Sequence, residues 1–214
     1  MCWSADVSLI TFLSSSAMCC YLLWRNNDND RPIAIWIFSF ALMQLFEFFM
    51  WSNMKSHSLV GKLSLVSVLA QPLILSAVLL YIGQLQDYIL IKYLLWTIFA
   101  ISLLKVTYTI YYILTTARNE NWLSSKGPNC HLIWYFVKHS DKLPFLCKIN
   151  YLYDFALLFA LLTLKPFSHG LVYAVIGVLT HTLTGIFYGK EMGSMWCWTA
   201  NIIGIFAILS KYMI

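Results

Sequence analysis

The chain contains seven long apolar segments, here called windows, with clusters of charged residues between them. Most of the windows are long enough to cross a lipid bilayer. A membrane-spanning helix needs about 20 consecutive apolar residues. The windows cover residues 7–24, 33–51, 63–83, 89–116, 149–164, 168–188 and 194–212. Since no segment between them is large enough to fold as a soluble domain, the pattern predicts a single all-α domain, an integral membrane seven-helix bundle.

The composition supports this class, because only 11% of the residues are charged, against about 25% in an average soluble domain. The first window has no basic segment before it and no small-residue cleavage site after it, so it is predicted to span the membrane rather than to be a cleaved signal peptide. Basic residues are dispersed over the loops. This distribution favours contact with the lipid bilayer, or an orientation signal, over nucleic-acid binding.

The loop at 117–148 is the longest connection, and it contains the mainly apolar segment 131–139, HLIWYFVKH. Six consecutive apolar residues are too few to span a bilayer. The segment is therefore predicted to lie in the membrane interface or to re-enter the protein. A lid over a cavity is the functional alternative.

The orientation is weakly signalled by basic residues. Seven spans would put the termini on opposite sides, and we call the N-terminal side "side A" and the other "side B". Eight Lys and Arg residues map to side A and five to side B, which favours a cytoplasmic N-terminus. Four cysteines on side A are either free thiols or, if that side faces an oxidising space, disulfide-bonded: Cys2, Cys130, Cys147 and Cys197.

Strongly polar residues lie at similar depth in six of the seven windows, in the half of the membrane nearest side A. Burying a charge in a bilayer costs about 2.5–3.5 kcal/mol on insertion scales, so each such residue is a functional candidate. Together they predict a polar pocket, open towards side A, that binds a small ion or solute. The candidates are Gln44, Glu47, Gln71, Lys105, Asp154, His181 and Asn201.

Each candidate also has a structural interpretation. Glu47 and Lys105 could form a buried ion pair that holds helices together, and Asp154 or Lys105 could extend to lipid headgroups. His181 could be a hydrogen-bonded core residue. In the first window Ser4, Ser8, Thr11 and Ser15 share one helix face, which predicts close helix packing or, alternatively, the lining of a water-filled path.

Three functions fit the polar half. The first is a transporter or channel in which Glu47 binds a proton or cation and Asp154 and His181 relay or coordinate it. The second is an intramembrane enzyme or a metal- or cofactor-binding protein, with Cys2, Cys197 and His181 as metal ligands beside Glu47. The third is a receptor or scaffold. The side B half lacks polar residues, so transport would require helices to move.

Familiar seven-helix chemistries lack their residues here. A retinal protein needs a lysine near the middle of its last helix, whereas Lys211 lies at the very end. Intramembrane zinc hydrolases carry a histidine in the second helix and a close histidine pair late in the chain, but His169 and His181 are too far apart. The receptor motifs Asp-Arg-Tyr and Asn-Pro-x-x-Tyr are missing after the third window and in the seventh.

Several short motifs resemble a family of uncharacterised multipass membrane proteins, a domain of unknown function found in bacteria, eukaryotes and large DNA viruses. They are the start Met-Cys-Trp-Ser-Ala5, Met43-Gln44 with Glu47-Phe48, Gln71-Pro72, His131-x-x-Trp134 and Trp196-Cys197-Trp198. The resemblance implies membrane location and no assigned activity. It also implies that Cys2, Trp3, Glu47, Gln71, His131, Trp134 and Cys197 belong together.

Overall fold

The structure is a computed structural model, and it describes residues 4–82, 89–149 and 151–210. The long helices are α1 (Ala5–Arg25), α2 (Asp30–Ser52), α3 (Ser58–Ile82), α4 (Ile89–Thr115), α6 (Tyr151–Leu162), α7 (Phe167–Tyr188) and α8 (Met192–Leu209). The loop before α6 holds the strands β1 (Ser125–Lys126) and β2 (Leu132–Ile133), the short helix α5 (Tyr135–Lys138) and a 3₁₀ turn (Phe145–Cys147). A second 3₁₀ turn, Gly189–Glu191, connects α7 to α8.

Five helical stretches among the described residues are long and apolar enough to cross a membrane, namely α1 to α4 and the stretch Phe167–Leu209. This last stretch contains α7 and α8, which fold back on each other. The ring centroids of Tyr173 and Phe206 lie 5.4 Å apart, and those of His181 and Trp196 lie 4.7 Å apart, so the two helices run antiparallel. The predicted class of helical membrane protein is confirmed, while the seven-span count stays a prediction.

Helix α2 lies at the centre of the bundle. It packs against α1, α3 and α8, and 61% of its most apolar window is buried, compared with 28% in α1 and in α4. The outward faces of α1 and α4 carry large apolar side chains such as Trp24 and Leu104, as expected of surfaces that contact lipid. The polar side chains Ser39, Gln44 and Glu47 of α2 are therefore enclosed by protein.

The side B end is closed by one buried ion pair. The Arg25 guanidinium donates two hydrogen bonds to the Asp30 carboxylate, at 2.6 and 2.8 Å. It also donates to the carbonyls of Ala207 and Ile208 at the end of α8, where a cation stabilises the negative end of the helix dipole. This cluster joins α1, α2 and α8.

The polar face of α1 points into the protein. Ser8, Thr11 and Ser15 are buried, and the Ser15 hydroxyl donates to the Asn201 side-chain oxygen of α8. The predicted packing role of this face is confirmed, because its hydroxyls allow close contact between helices.

The long loop docks onto the bundle instead of lying flat in the interface. Its strands pair antiparallel, with Ser125 opposite Ile133, and its side chains Trp122 and Trp134 are buried. A Cβ at Gly61 of α3 would lie 2.2 Å from the Trp122 carbonyl oxygen, so the loop needs a glycine there to approach. The segment 131–139 thus re-enters the protein, as one of the two sequence interpretations predicts.

Candidate functional site

Glu47 lies in the penultimate turn of α2 and is fully buried. Its Oε1 accepts a hydrogen bond from the Trp134 indole N–H at 2.9 Å, and its Oε2 accepts one from the Ser194 hydroxyl at 3.0 Å. One turn earlier, the Gln44 amide donates to the Ser194 carbonyl at 3.4 Å. A single carboxylate therefore joins α2, the long loop and α8 through neutral donors.

Lys105 lies elsewhere in the bundle, between α4 and the segment that leads into α6. Its ammonium donates to the Lys148 carbonyl at 2.8 Å, and its side chain borders a narrow crevice with Pro72 and Tyr153. The ion pairs among the described residues do not include Glu47. The Glu47–Lys105 pair that the sequence left open is therefore not formed, because the face of α4 that carries Lys105 packs towards α6.

Gln71 connects the three helices α2, α3 and α6 at a position further from side A than Glu47. Its amide donates to the Ser39 carbonyl of α2 at 3.0 Å, and its side-chain oxygen accepts a hydrogen bond from the Tyr153 hydroxyl of α6. Both Gln71 and Tyr153 are buried. Tyr153 was missed by the sequence analysis, although its position beside Asp154 in an apolar window was a usable signal.

Asp154 and His181, which the sequence places at similar depth, lie close together in the structure. The Asp154 Oδ1 and His181 Nε2 atoms are 3.5 Å apart, and both side chains are about one quarter exposed (25% and 27%). The His181 ring also meets Trp196 edge to face. This pair joins α6, α7 and α8 and remains accessible from outside the bundle.

A cavity of about 240 Å³ lies against this pair. Its walls carry the aromatic side chains of Trp134, Phe136, Tyr153 and Trp196, and its floor includes the buried Cys197. At the other end it is bordered by Ser140 and Lys190, which are exposed and lie in loops on side A. The cavity therefore opens towards side A.

Glu47 is separated from this cavity by Trp134, which contacts the cavity with its ring and Glu47 with its N–H. The predicted polar half thus divides into three parts. Asp154 and His181 border the cavity, Glu47 and Gln44 anchor its wall, and the remaining candidates connect helices. Those remaining candidates are Gln71, Lys105 and Asn201, the last of which bonds Ser15 and the Trp198 carbonyl.

Two further buried groups, which the sequence analysis missed, fix the loop above the cavity. The His57 Nε2 accepts a hydrogen bond from the Ser124 backbone N–H at 2.8 Å, so the ring proton is on Nδ1, which donates to the Asn53 carbonyl. The Glu191 carboxylate accepts from the Asn129 backbone N–H at 2.9 Å. The loop is therefore held directly before its hairpin, at Ser124, and within the hairpin turn, at Asn129.

The proposed metal ligands are only partly described. Cys197 and His181 both border the cavity, and Cys2 lies outside the described residues. Among the residues that the structure does describe, no group of three or more His, Cys, Asp and Glu side chains could hold a metal ion. The three-residue set with Cys2 stays a prediction.

Comparison of the chain with known protein families, with curated proteins and with solved structures finds no match.

Proposed function

We propose that this protein is a seven-helix membrane protein whose pocket, open on side A, binds a small amphipathic molecule. The observation that carries the proposal is the 240 Å³ cavity with its aromatic walls and the accessible Asp154–His181 pair. Mostly apolar concave sites with a few convergent polar groups are the usual form of small-molecule sites.

The seven-span arrangement rests on α6, α7 and α8. The antiparallel contact of α7 and α8 supports two crossings. Helix α6 has 12 residues, which is about 18 Å at 1.5 Å per residue, shorter than a hydrocarbon core of about 30 Å. Its burial against α3 and α7 supports a crossing completed by the flanking residues.

Ion or solute transport through Glu47 is the function that the sequence placed first, and the geometry favours it less. Glu47 lies behind Trp134, outside the cavity, and both its carboxylate oxygens accept hydrogen bonds. Below the cavity the Tyr153–Gln71 bond fills the space between helices. Binding needs one entrance, whereas transport would require these contacts to open.

Catalysis is a second candidate because a carboxylate bonded to one nitrogen of a histidine orients the ring as a general base. The Asp154 Oδ1 and His181 Nε2 atoms lie 3.5 Å apart at the wall of the cavity, so a small approach on ligand binding would form that bond. A catalytic protein would release a changed ligand, while a binding protein would return it intact.

We also propose membership of the uncharacterised multipass family that the sequence resembles. What supports it is the position of the motif residues. Trp134 and Cys197 both border the cavity, Glu47 bonds Trp134, and Gln71 bonds Tyr153 on the cavity wall.

The test is to fill the cavity. Val137 borders it from the loop, so Val137→Trp should block small molecules that co-purify with wild type or that raise its melting temperature in a screen of amphipathic compounds. Val175→Trp, on an exposed apolar face, is the matched control. Flux of protons or cations in proteoliposomes that is lost in Glu47→Gln would overturn the proposal in favour of transport, and so would ligand binding that is equal in Val137→Trp and wild type.

A further inference from the structure

We infer that the ligand of this pocket is an organic cation with an alkylated ammonium group, enclosed by aromatic rings and neutralised by Asp154. The inference rests on the proposed function, that the cavity binds a small molecule, and it adds the chemical class.

The aromatic walls supply the first argument. Trp134, Tyr153 and Trp196 border the cavity, and each is less than one tenth exposed. The faces of aromatic rings carry negative electrostatic potential, and tryptophan attracts cations most strongly. A cation inside this enclosure would be removed from water, which strengthens its attraction to the rings. Recognition of quaternary ammonium groups is a common use of such aromatic enclosures.

The hydrogen bond behind Trp134 supplies the second argument. The indole N–H donates to the Glu47 carboxylate at 2.9 Å. A donor that faces an anion is polarised, so electron density in the indole ring rises. The ring is then a better partner for a cation on its cavity side. This gives the buried Glu47 a part in recognition without contact with the ligand.

The charges around the cavity supply the third argument. Asp154 is the acidic residue that borders it, His181 is its partner at 3.5 Å, and Lys190 lies at the exposed entrance. The negative charge of the interior therefore comes from the Asp154 carboxylate, while the lysine stays at the entrance. An anionic ligand would have to enter beside that carboxylate, whereas a cation is attracted to it. If the cation is the ammonium group of a zwitterionic lipid headgroup, Lys190 at the entrance would lie near the phosphate of that headgroup.

The size limits the ligand. A cavity of about 240 Å³ is below the roughly 300–1,000 Å³ of sites for drug-sized molecules. The shared chemistry is therefore a trimethylammonium group on a short chain. It could come from a free quaternary ammonium compound such as choline or from the headgroup of a choline lipid in the side A leaflet.

The experiment uses the full chain in nanodiscs of phosphatidylglycerol, a lipid without an ammonium group. Choline is titrated while tryptophan fluorescence and heat are recorded, because Trp134 and Trp196 border the site. The comparison ligand is 3,3-dimethylbutanol, which has the same shape without the charge. We expect saturable binding of choline, binding of the neutral analogue at least tenfold weaker, and a loss of at least tenfold in Asp154→Asn. Asp141→Asn, in the exposed part of the loop, should bind choline as wild type does.

Replacing part of the lipid with phosphatidylcholine distinguishes the two sources. A headgroup ligand would occupy the site and weaken the response to added choline, whereas a site for free choline would bind it equally in both nanodiscs. Either result supports the inference. Equal binding of choline and its neutral analogue by wild type would overturn the charge assignment and leave the pocket standing. No binding of choline by folded protein that still binds other compounds in a Val137-dependent way would overturn it as well. Failure of the proposed function would give a different result, because then no compound would bind wild type better than Val137→Trp.

Discussion

The Trp134 indole donates its N–H to the Glu47 carboxylate across 2.9 Å and so connects the long loop to the centre of the bundle. Glu47 is fully buried, and its other oxygen accepts from Ser194. A buried carboxylate that loses a donor keeps the cost of desolvation without its compensation. Docking of the loop and packing of α8 on α2 therefore depend on the same side chain.

Replacing Trp134 with phenylalanine should show this dependence. Trp134→Phe keeps an aromatic ring but removes the donor, which leaves Oε1 of Glu47 without this bond. We expect a loss of about 1–3 kcal/mol in stability, seen as a lower melting temperature in detergent. Trp24→Phe is the control, because Trp24 is 80% exposed on the lipid-facing side of α1 and should change little.

A double-mutant cycle with Glu47→Leu, which has no acceptor for the Trp134 N–H, separates the bond from the loss of ring volume. If Trp134 and Glu47 interact, the double variant should lose less stability than the two single variants added together. Strict additivity would show that this bond does not stabilise the protein, whatever the single variants do.

Gly193→Ala should disturb the same contact from the opposite side. A Cβ at Gly193 would lie 2.6 Å from Cζ3 of Trp134, so the indole must shift. Alanine favours a helix over glycine by about 1 kcal/mol, which the clash has to exceed. We expect a lower melting temperature and faster quenching of tryptophan fluorescence by acrylamide. Gly185→Ala is the control, because its new Cβ meets only the flexible Met192 sulfur, at 3.2 Å. A gain in stability in Gly193→Ala would contradict the expectation.

The helices could be predicted from the sequence because long apolar runs determine them directly. The predicted window 33–51 lies within α2 (Asp30–Ser52). Shared depth in the windows placed Asp154 and His181 in the same half of the membrane, and the two side chains lie 3.5 Å apart. The partners of Glu47 could not be predicted in this way. One of its two donors comes from a loop segment 87 positions away along the chain, and hydrophobic patterning does not specify how a loop docks.

The position of Lys105 shows the same limit. Depth in the membrane follows from the distance along a helix, but the direction of a side chain follows from how neighbouring helices pack. Lys105 shares a depth with Glu47 in the sequence, yet its face of α4 turns towards Lys148 and the start of α6. Helix α4 is lipid-exposed over much of its surface, so its apolar pattern carries little information about which face is buried.

His131 should make the stability depend on pH. This residue lies at the start of β2, outside the helices, and is 4% exposed. Burial lowers the pKa of His131 below its usual 6.5, although the Glu191 carboxylate partly opposes the shift. The unfolded chain then binds a proton at a pH where the folded protein does not, so stability should fall as the pH drops from about 6.5 towards the folded pKa and should not change from this cause above 6.5.

The measurement is the melting temperature of wild type and His131→Gln between about pH 5 and pH 8. We expect a shallower decline on the acidic side in the variant. His139→Gln is the control, since His139 is half-buried against the Tyr135 ring in the same loop. An identical acidic slope in wild type and His131→Gln would contradict the assignment.

The state of Cys130 bears on the orientation of the whole protein. Cys130 is disulfide-bonded, and disulfides persist in oxidising compartments. Its loop lies on side A, where the excess of basic residues, eight against five, weakly predicts the cytoplasm. Because a disulfide is rare in the cytosol, we expect side A to face away from it. In denatured protein alkylated without reduction, Cys130 should stay unmodified, whereas the free Cys147 should react with or without reduction. If the protein lies in the plasma membrane, a tag at the N-terminus should be accessible to protease on intact cells. An alkylated Cys130 together with a protected tag on those cells would restore the orientation that the basic residues favour.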